Sequence, residues 1–231
     1  MIEIRYRPTL RVYAGMDQVG LKLAQEFPDW ERSHLWLELR NKTEHRRLRI
    51  SHQQTFFDRD APVSIEEDLT IAREAIVAVN QELKIAEYAR FGMRSYFTAE
   101  TETGFQKLVE QVYGKLCIPI KQINAFAGME LSDAGYTVNL VENEWTYHVT
   151  AGPMEKSQWL SLVRHEPAIF EADHPTNSFE RFRETLPERF LFVDVDVFRE
   201  NVTVDDALKV LRARQEKSHE IANKLVLQCW S

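Results

Sequence analysis

At 231 residues, with 44% apolar and 11% aromatic residues, the sequence is long and apolar enough to bury a substantial core. Its 36 acidic against 29 basic residues give a net charge of −7, which disfavours a broad polyanion-binding surface because phosphate neutralisation needs clustered Lys and Arg. The cysteines, Cys117 and Cys229, lie far apart without a CxxC partner, arguing against a disulfide framework and a cysteine-rich zinc site and for a reducing cytoplasm.

The opening residues alternate apolar and charged side chains instead of forming an apolar leader. No later run approaches the roughly 18 apolar residues of a membrane span. A soluble cytoplasmic protein without a membrane association is expected. In IEIRYRPTLRV, Ile2, Ile4, Tyr6, Leu10 and Val12 share one face of a half-buried strand, and Pro8 implies an edge or a bulge. Asp17 is then placed to cap a helix with Val19, Leu23 and Phe27 inside, ended by Pro28.

Strands are expected at Leu35 to Arg40 and at Arg47 to Phe57, joined through the polar NKTEHR. The clearest helix follows: Ser64 and Glu67 have capping-box spacing, and Ile65, Leu69, Ala72, Ile76, Val79 and Leu83 recur at intervals of four and three. ARFGMRSYF then alternates as a strand. The first hundred residues read β-α-β-β-α-β, the order of a ferredoxin-like unit.

The remainder repeats that theme imperfectly. Phe105, Leu108, Val109, Val112 and Leu116 mark a helical face, with Thr101 or Thr103 as its cap. Strands are expected at Ile123 to Leu131, Gly135 to Val141 and Trp145 to Thr150, a short helix in EKSQWLSLVRH, and a long connection through the proline-bearing residues after it. Phe190 to Phe198 returns as a strand, and Thr203 opens a last helix with Val204, Leu208, Leu211, Ala222 and Leu225 in its stripe. The expected fold is therefore α+β, two fused ferredoxin-like halves with mainly antiparallel sheets, divided as residues 1–99 and 100–231.

FLFVDVDVF raises the sharpest chemical question. Its two faces are both largely apolar, as in a strand at the middle of a sheet covered on both sides, yet Asp194 and Asp196 share one of them. Two acids about 7 Å apart along a strand suit a divalent cation, and they equally suit arginine partners. Arg90, Arg94 and Tyr96, on the face opposite Phe91 and Met93, are the candidate partners. Arg90, Arg94, Tyr96, Asp194 and Asp196 thus form the candidate binding set, with a structural Arg–Asp pairing the leading expectation and Arg94→Ala expected to cost about 2 to 4 kcal/mol if it neutralises a buried carboxylate.

Other constellations are weaker. His165, Glu166, Glu171, Asp173 and His174 are metal-ligating types at spacings that match no metal motif; Gly-rich phosphate loops and a GxSxG elbow are absent; Cys117 lies in apolar LCIPI, where its thiol would be inert. No catalytic residue, metal or cofactor is assigned. Arg46, Arg47, Arg49 and His52 would merge with Arg5, Arg7 and Arg11 into a positive stripe if their strands were neighbours, but Tyr13 is the only outward aromatic, so a solvated face is expected rather than a nucleic-acid platform. Trp145 and Tyr147 read as core or seam aromatics.

The strand with Arg90, Gly92, Arg94 and Tyr96, together with the Asp194-Val-Asp196 strand, resembles a sporadically distributed family of uncharacterised bacterial proteins with an R-x-G-x-R-Y strand in mid-chain and a D-[IV]-D strand near the C-terminus. Ser95 stands where that family more often has Tyr directly after Arg. The resemblance implies a bacterial origin and a shared α+β fold, and its sporadic distribution suggests a stress or antiviral system. The functional expectation is a non-catalytic binding or regulatory component with a protein partner or as a homo-oligomer. The alternative is a divalent-cation-dependent nucleotide-binding or phosphoryl-transfer protein using Asp194 and Asp196.

Overall fold

The computed structural model describes residues 1–59, 64–116, 132–165 and 184–230. In chain order the elements are β1 (Ile2–Arg5), α1 (Arg11–Leu23), β2 (Asp29–Arg32), β3 (Trp36–Asn41), β4 (Arg46–Ser51), β5 (Gln54–Arg59), α2 (Ile65–Leu83), β6 (Glu87–Glu100), α3 (Phe105–Leu116), β7 (Tyr136–Glu142), β8 (Trp145–Glu155), α4 (Lys156–His165), β9 (Arg189–Thr203) and α5 (Val204–Trp230). The fold is α+β, with one mainly antiparallel sheet ordered β2-β3-β4-β5-β1-β6-β9-β8-β7. This nine-stranded sheet is larger than a four-stranded ferredoxin-like unit. No helix among the described residues is long and apolar enough to cross a membrane.

The chain forms two compact units. The first consists of Met1–Arg94 with Phe198–Gln215, and the second draws its described residues from Ser95–Pro175, Arg183–Val197 and Glu216–Ser231. β6, β9 and α5 each run from one unit into the other.

In the first unit the strand register places Ile2 and Ile4, Leu37 and Leu39, Leu48 and Ile50, Phe57, Phe91 and Met93 on one face, all of them buried. α1 contributes Val12, Met16, Val19 and Leu23 to the core, and α2 contributes Ile71, Ala72, Ala75, Ile76, Val79 and Leu83. The two helices approach closely at Gly15, where a Cβ would lie 2.9 Å from the Leu83 side chain and 3.2 Å from the Glu82 carbonyl oxygen.

Pro8 acts differently from expectation. β1 lies inside the sheet between β5 and β6, where a residue without N–H would break a ladder, and the strand stops at Arg5. Tyr6 finishes the run by turning its hydroxyl to the Ser51 carbonyl at 2.7 Å. The next apolar residues form α1, beginning at Arg11, so Asp17 sits within a helix instead of capping it. The expected long strand from Arg47 is a hairpin of β4 and β5 folded at His52 and Gln53, and β2 was not anticipated.

α2 follows its pattern: the Ser64 hydroxyl accepts from the Glu67 N–H at 3.3 Å. The Glu67 carboxylate departs from a closed capping box by accepting from Arg46 Nη2 at 2.6 Å. Arg46 lies on the buried sheet face, where its Nε also donates to Asp68 at 3.1 Å. Arg59, its cross-strand neighbour, donates to the same Asp68 oxygen, and this cluster ties the start of α2 to β4 and β5.

In the second unit β7 and β8 form the expected hairpin, closed by Asn143 and Glu144 at φ 48° and 67°, the paired left-handed residues of a type I′ turn. Trp145, Tyr147, Val149 and Ala151 are buried in alternation along β8. β9 is buried on both faces from Phe190 to Val195 and is an interior strand, as its composition required. The Thr203 hydroxyl accepts from the Asp206 N–H at 3.2 Å and opens α5, which buries Ala207 and Leu211 in its first-unit part and Ser218, Ala222 and Cys229 in its second-unit part. The expected strand at 123–131, and residues 166–183 of the expected long connection, lie outside the described residues.

Asp68→Ala removes the anion that Arg46 and Arg59 share, while Glu67 stays on Arg46 and Glu44 stays near both heads, so denaturant unfolding should show a loss on the order of 2 kcal/mol. Exposed Lys84 ends α2 at φ 54° and ψ 45°. Lys84→Gly should raise stability by about 0.5 to 1 kcal/mol in the same assay, because glycine adopts this left-handed cap without strain.

Candidate functional site

β6 carries the arginine motif, and its register with β1 explains the spacing. Glu3 faces Gly92 and Arg5 faces Arg90 across the ladder. Glu3 accepts from Arg90 Nη1 and from Arg5 Nε, the latter at 2.6 Å, so a buried carboxylate has two guanidinium partners. The Arg90 guanidinium also lies 4.5 Å over the Phe198 ring. A Cβ on Gly92 would stand 3.1 Å from Arg90 Nη1 and 3.4 Å from Phe198 Cβ. The glycine two residues after the arginine therefore leaves room for the guanidinium to lie across the strand. Glu3 was missed as a partner because the N-terminal alternation marks it only as outward-facing; the cross-strand register makes it an arginine acceptor.

Arg94 is fixed through its backbone: its N–H donates to the Met1 carbonyl and its carbonyl accepts from the Met1 amino group, both at 2.9 Å. Arg90 and Arg94 belong to the first unit, whereas Tyr96, Asp194 and Asp196 belong to the second. In the second unit Tyr96 stacks on Phe192 at 5.8 Å and meets Trp159 edge-on at 5.4 Å. Asp194 is 5% exposed and Asp196 half-buried. Phe97 meets His219 edge-on at 4.8 Å, and burial holds that imidazole's pKa below its usual value.

No group of three His, Cys, Asp or Glu side chains suited to a metal ion occurs among the described residues. Glu166, Glu171, Asp173 and His174 lie outside them, and His165 ends α4.

The basic run of β4 does not merge with β1 into a positive stripe, because β5 lies between them. Arg46 turns inward. Arg47 donates to Asp58 at 2.6 Å, and Arg49 lies 4.6 Å over the Trp36 ring and 3.7 Å from Glu38. Glu38, only 1% exposed, also accepts from Arg40 Nε. Cross-strand pairing places acids among these arginines, giving a mixed-charge sheet face.

A different surface stands out on the first unit. Leu10, at the start of α1, is 83% exposed, and Leu21 is 71% exposed on the same outward side as Tyr13 and Asp17. Edge strand β2 runs beside that side: Arg32 pairs with Asp17 and donates from Nη2 to the Tyr13 carbonyl at 3.2 Å. Trp30 of β2, 69% exposed, continues the surface. α1 thus has apolar side chains on two opposite sides, only one of which the core covers. The spacing Leu10, Tyr13, Asp17, Leu21 was readable once the helix start was placed after Pro8.

Comparison with known families, characterised proteins and solved structures returns no match. The fold places the chain among α+β proteins.

Arg90→Ala removes one of the two guanidinium groups held by buried Glu3 and the contact with Phe198. Calorimetric melting should show a loss on the order of 2 kcal/mol, below a full buried-pair break because Arg5 remains.

Proposed function

We propose that this chain is a non-catalytic binding or regulatory protein that engages a protein partner through the outer side of α1 and the adjoining edge strand β2. The carrying observation is the set of exposed apolar side chains Leu10, Tyr13, Leu21 and Trp30 on one compact unit, with the Arg32–Asp17 ion pair set among them. Several large apolar side chains exposed on one side, framing a fixed ion pair, are the make-up of an interaction surface with an apolar body and a polar handle. Trp, Tyr and Arg are also the residues that most often carry binding energy at the centres of interfaces. Placement of such a partner in a bacterial stress or antiviral system rests on the sequence resemblance alone.

Trp30→Ala and Leu21→Asp should abolish recovery of a partner in affinity capture from the native host. Their melting temperatures should stay near wild type, because substitutions at exposed positions usually change stability by under about 0.5 kcal/mol. Capture unchanged by both variants would refute the reading. The competing phosphoryl-transfer reading requires calorimetric heat on titration with magnesium or manganese and a nucleotide, lost in Asp194→Asn; that result would displace the binding assignment.

A further inference from the structure

β7 ends the sheet among the described residues, and the strand itself carries none of the Lys, Pro or bulge guards of a sheet edge. The opposite edge, β2, is a four-residue strand carrying Asp29, Glu31 and Arg32. β7 is seven residues long, Tyr-Thr-Val-Asn-Leu-Val-Glu, with no Lys or Pro and a single charge at its last position. Its register with β8 runs unbroken from Tyr136↔Ala151 to Glu142↔Trp145, so no bulge turns it away. Val141 is 73% exposed and Leu140 is also exposed.

The hairpin geometry fixes which backbone groups this edge offers. A two-residue type I′ turn at Asn143 and Glu144 makes Glu142 and Trp145 a hydrogen-bonded pair. Alternation then directs the N–H and C=O groups of Tyr136, Val138, Leu140 and Glu142 toward β8, and those of Thr137, Asn139 and Val141 outward. We infer that a second copy of this chain docks here, the two β7 strands pairing antiparallel about a two-fold axis at Asn139 to join two sheets edge to edge.

In that register Asn139 faces Asn139 of the other copy, Thr137 faces Val141, Val138 faces Leu140, and Tyr136 faces Glu142. Each outward-bonding residue meets another outward-bonding residue, so edge groups that no other described strand takes up are matched. Side-chain faces agree as well. Thr137, Asn139 and Val141 share one face, the first two in contact with Thr150 and His148 of β8. Val138 and Leu140 lie on the other, beside buried Val149 and Tyr147. The pairing brings Val138 and Leu140 of both copies together there. No like charges oppose each other, and the Tyr136 hydroxyl faces the Glu142 carboxylate. The interface is isologous and small, so association should be reversible and concentration-dependent.

Sedimentation equilibrium of the full chain should show a monomer–dimer equilibrium, the heavier species having twice 27.1 kDa. Asn139→Lys sets two cations directly opposite each other and should weaken the dimer about tenfold or more with the melting temperature retained. Asn139→Cys provides the second readout: hydrogen-bonded antiparallel partners have Cα atoms about 5.5 Å apart, within disulfide range, so mild oxidation should crosslink this variant to a covalent dimer. Val141→Cys, opposed by Thr137, should not crosslink, and wild type controls for the native thiols. A monomer at every concentration, a dimer that persists in Asn139→Lys without an Asn139→Cys crosslink, or a dimer lost in Trp30→Ala would overturn the proposal.

Discussion

Neutralisation of buried acids by arginine organises the first unit. Asp68 holds the start of α2 against the Arg46 and Arg59 heads, Glu38 sits beneath Arg40 and Arg49, and Glu3 joins Arg5 to Arg90. A carboxylate withdrawn from water without a cation is costly enough to prevent such packing, so each acid constrains where the neighbouring strands and helices can lie. Arginine suits this work because its planar head reaches two acceptors while its stem lies along the sheet. Gly92 belongs to the same device, since any side chain there would crowd the Arg90 head against Phe198.

This use of arginine changes the meaning of the basic sequence runs. Read linearly, Arg46, Arg47 and Arg49 are a cationic cluster; folded, they point to opposite sides of one strand and meet acids from α2, β3 and β5. The first unit also exposes several large apolar side chains, along the outer side of α1 and at Trp30. At β7 the offered groups are backbone amides flanked by Val and Leu.

Legibility in the sequence followed the range of the interaction that decides each element. α2 was readable because its cap and apolar stripe are local, and the β7–β8 hairpin because a polar turn separates two alternating runs. β9 was readable as interior because both of its faces are apolar. The failures have a common cause. Residues 2–12 alternate as a strand would, yet β1 is interior, and Pro8 cannot sit in an interior ladder; the sheet order, not the alternation, set the boundary. The β4–β5 fold at His52 and Gln53 carries no Gly or Pro signal, and β2 is too short to show a period.

The candidate residues divide in the same way. By itself the sequence determined the α+β class and the two-faced burial of β9 around Asp194, because these follow from period and composition. Only the tertiary structure decided that Arg90 meets Glu3, that Tyr96 stacks on Phe192, and that α1 presents a second apolar side beside Trp30. Those pairings join residues far apart in the chain, and a strand's register selects its cross-strand neighbours through contacts that no local pattern records.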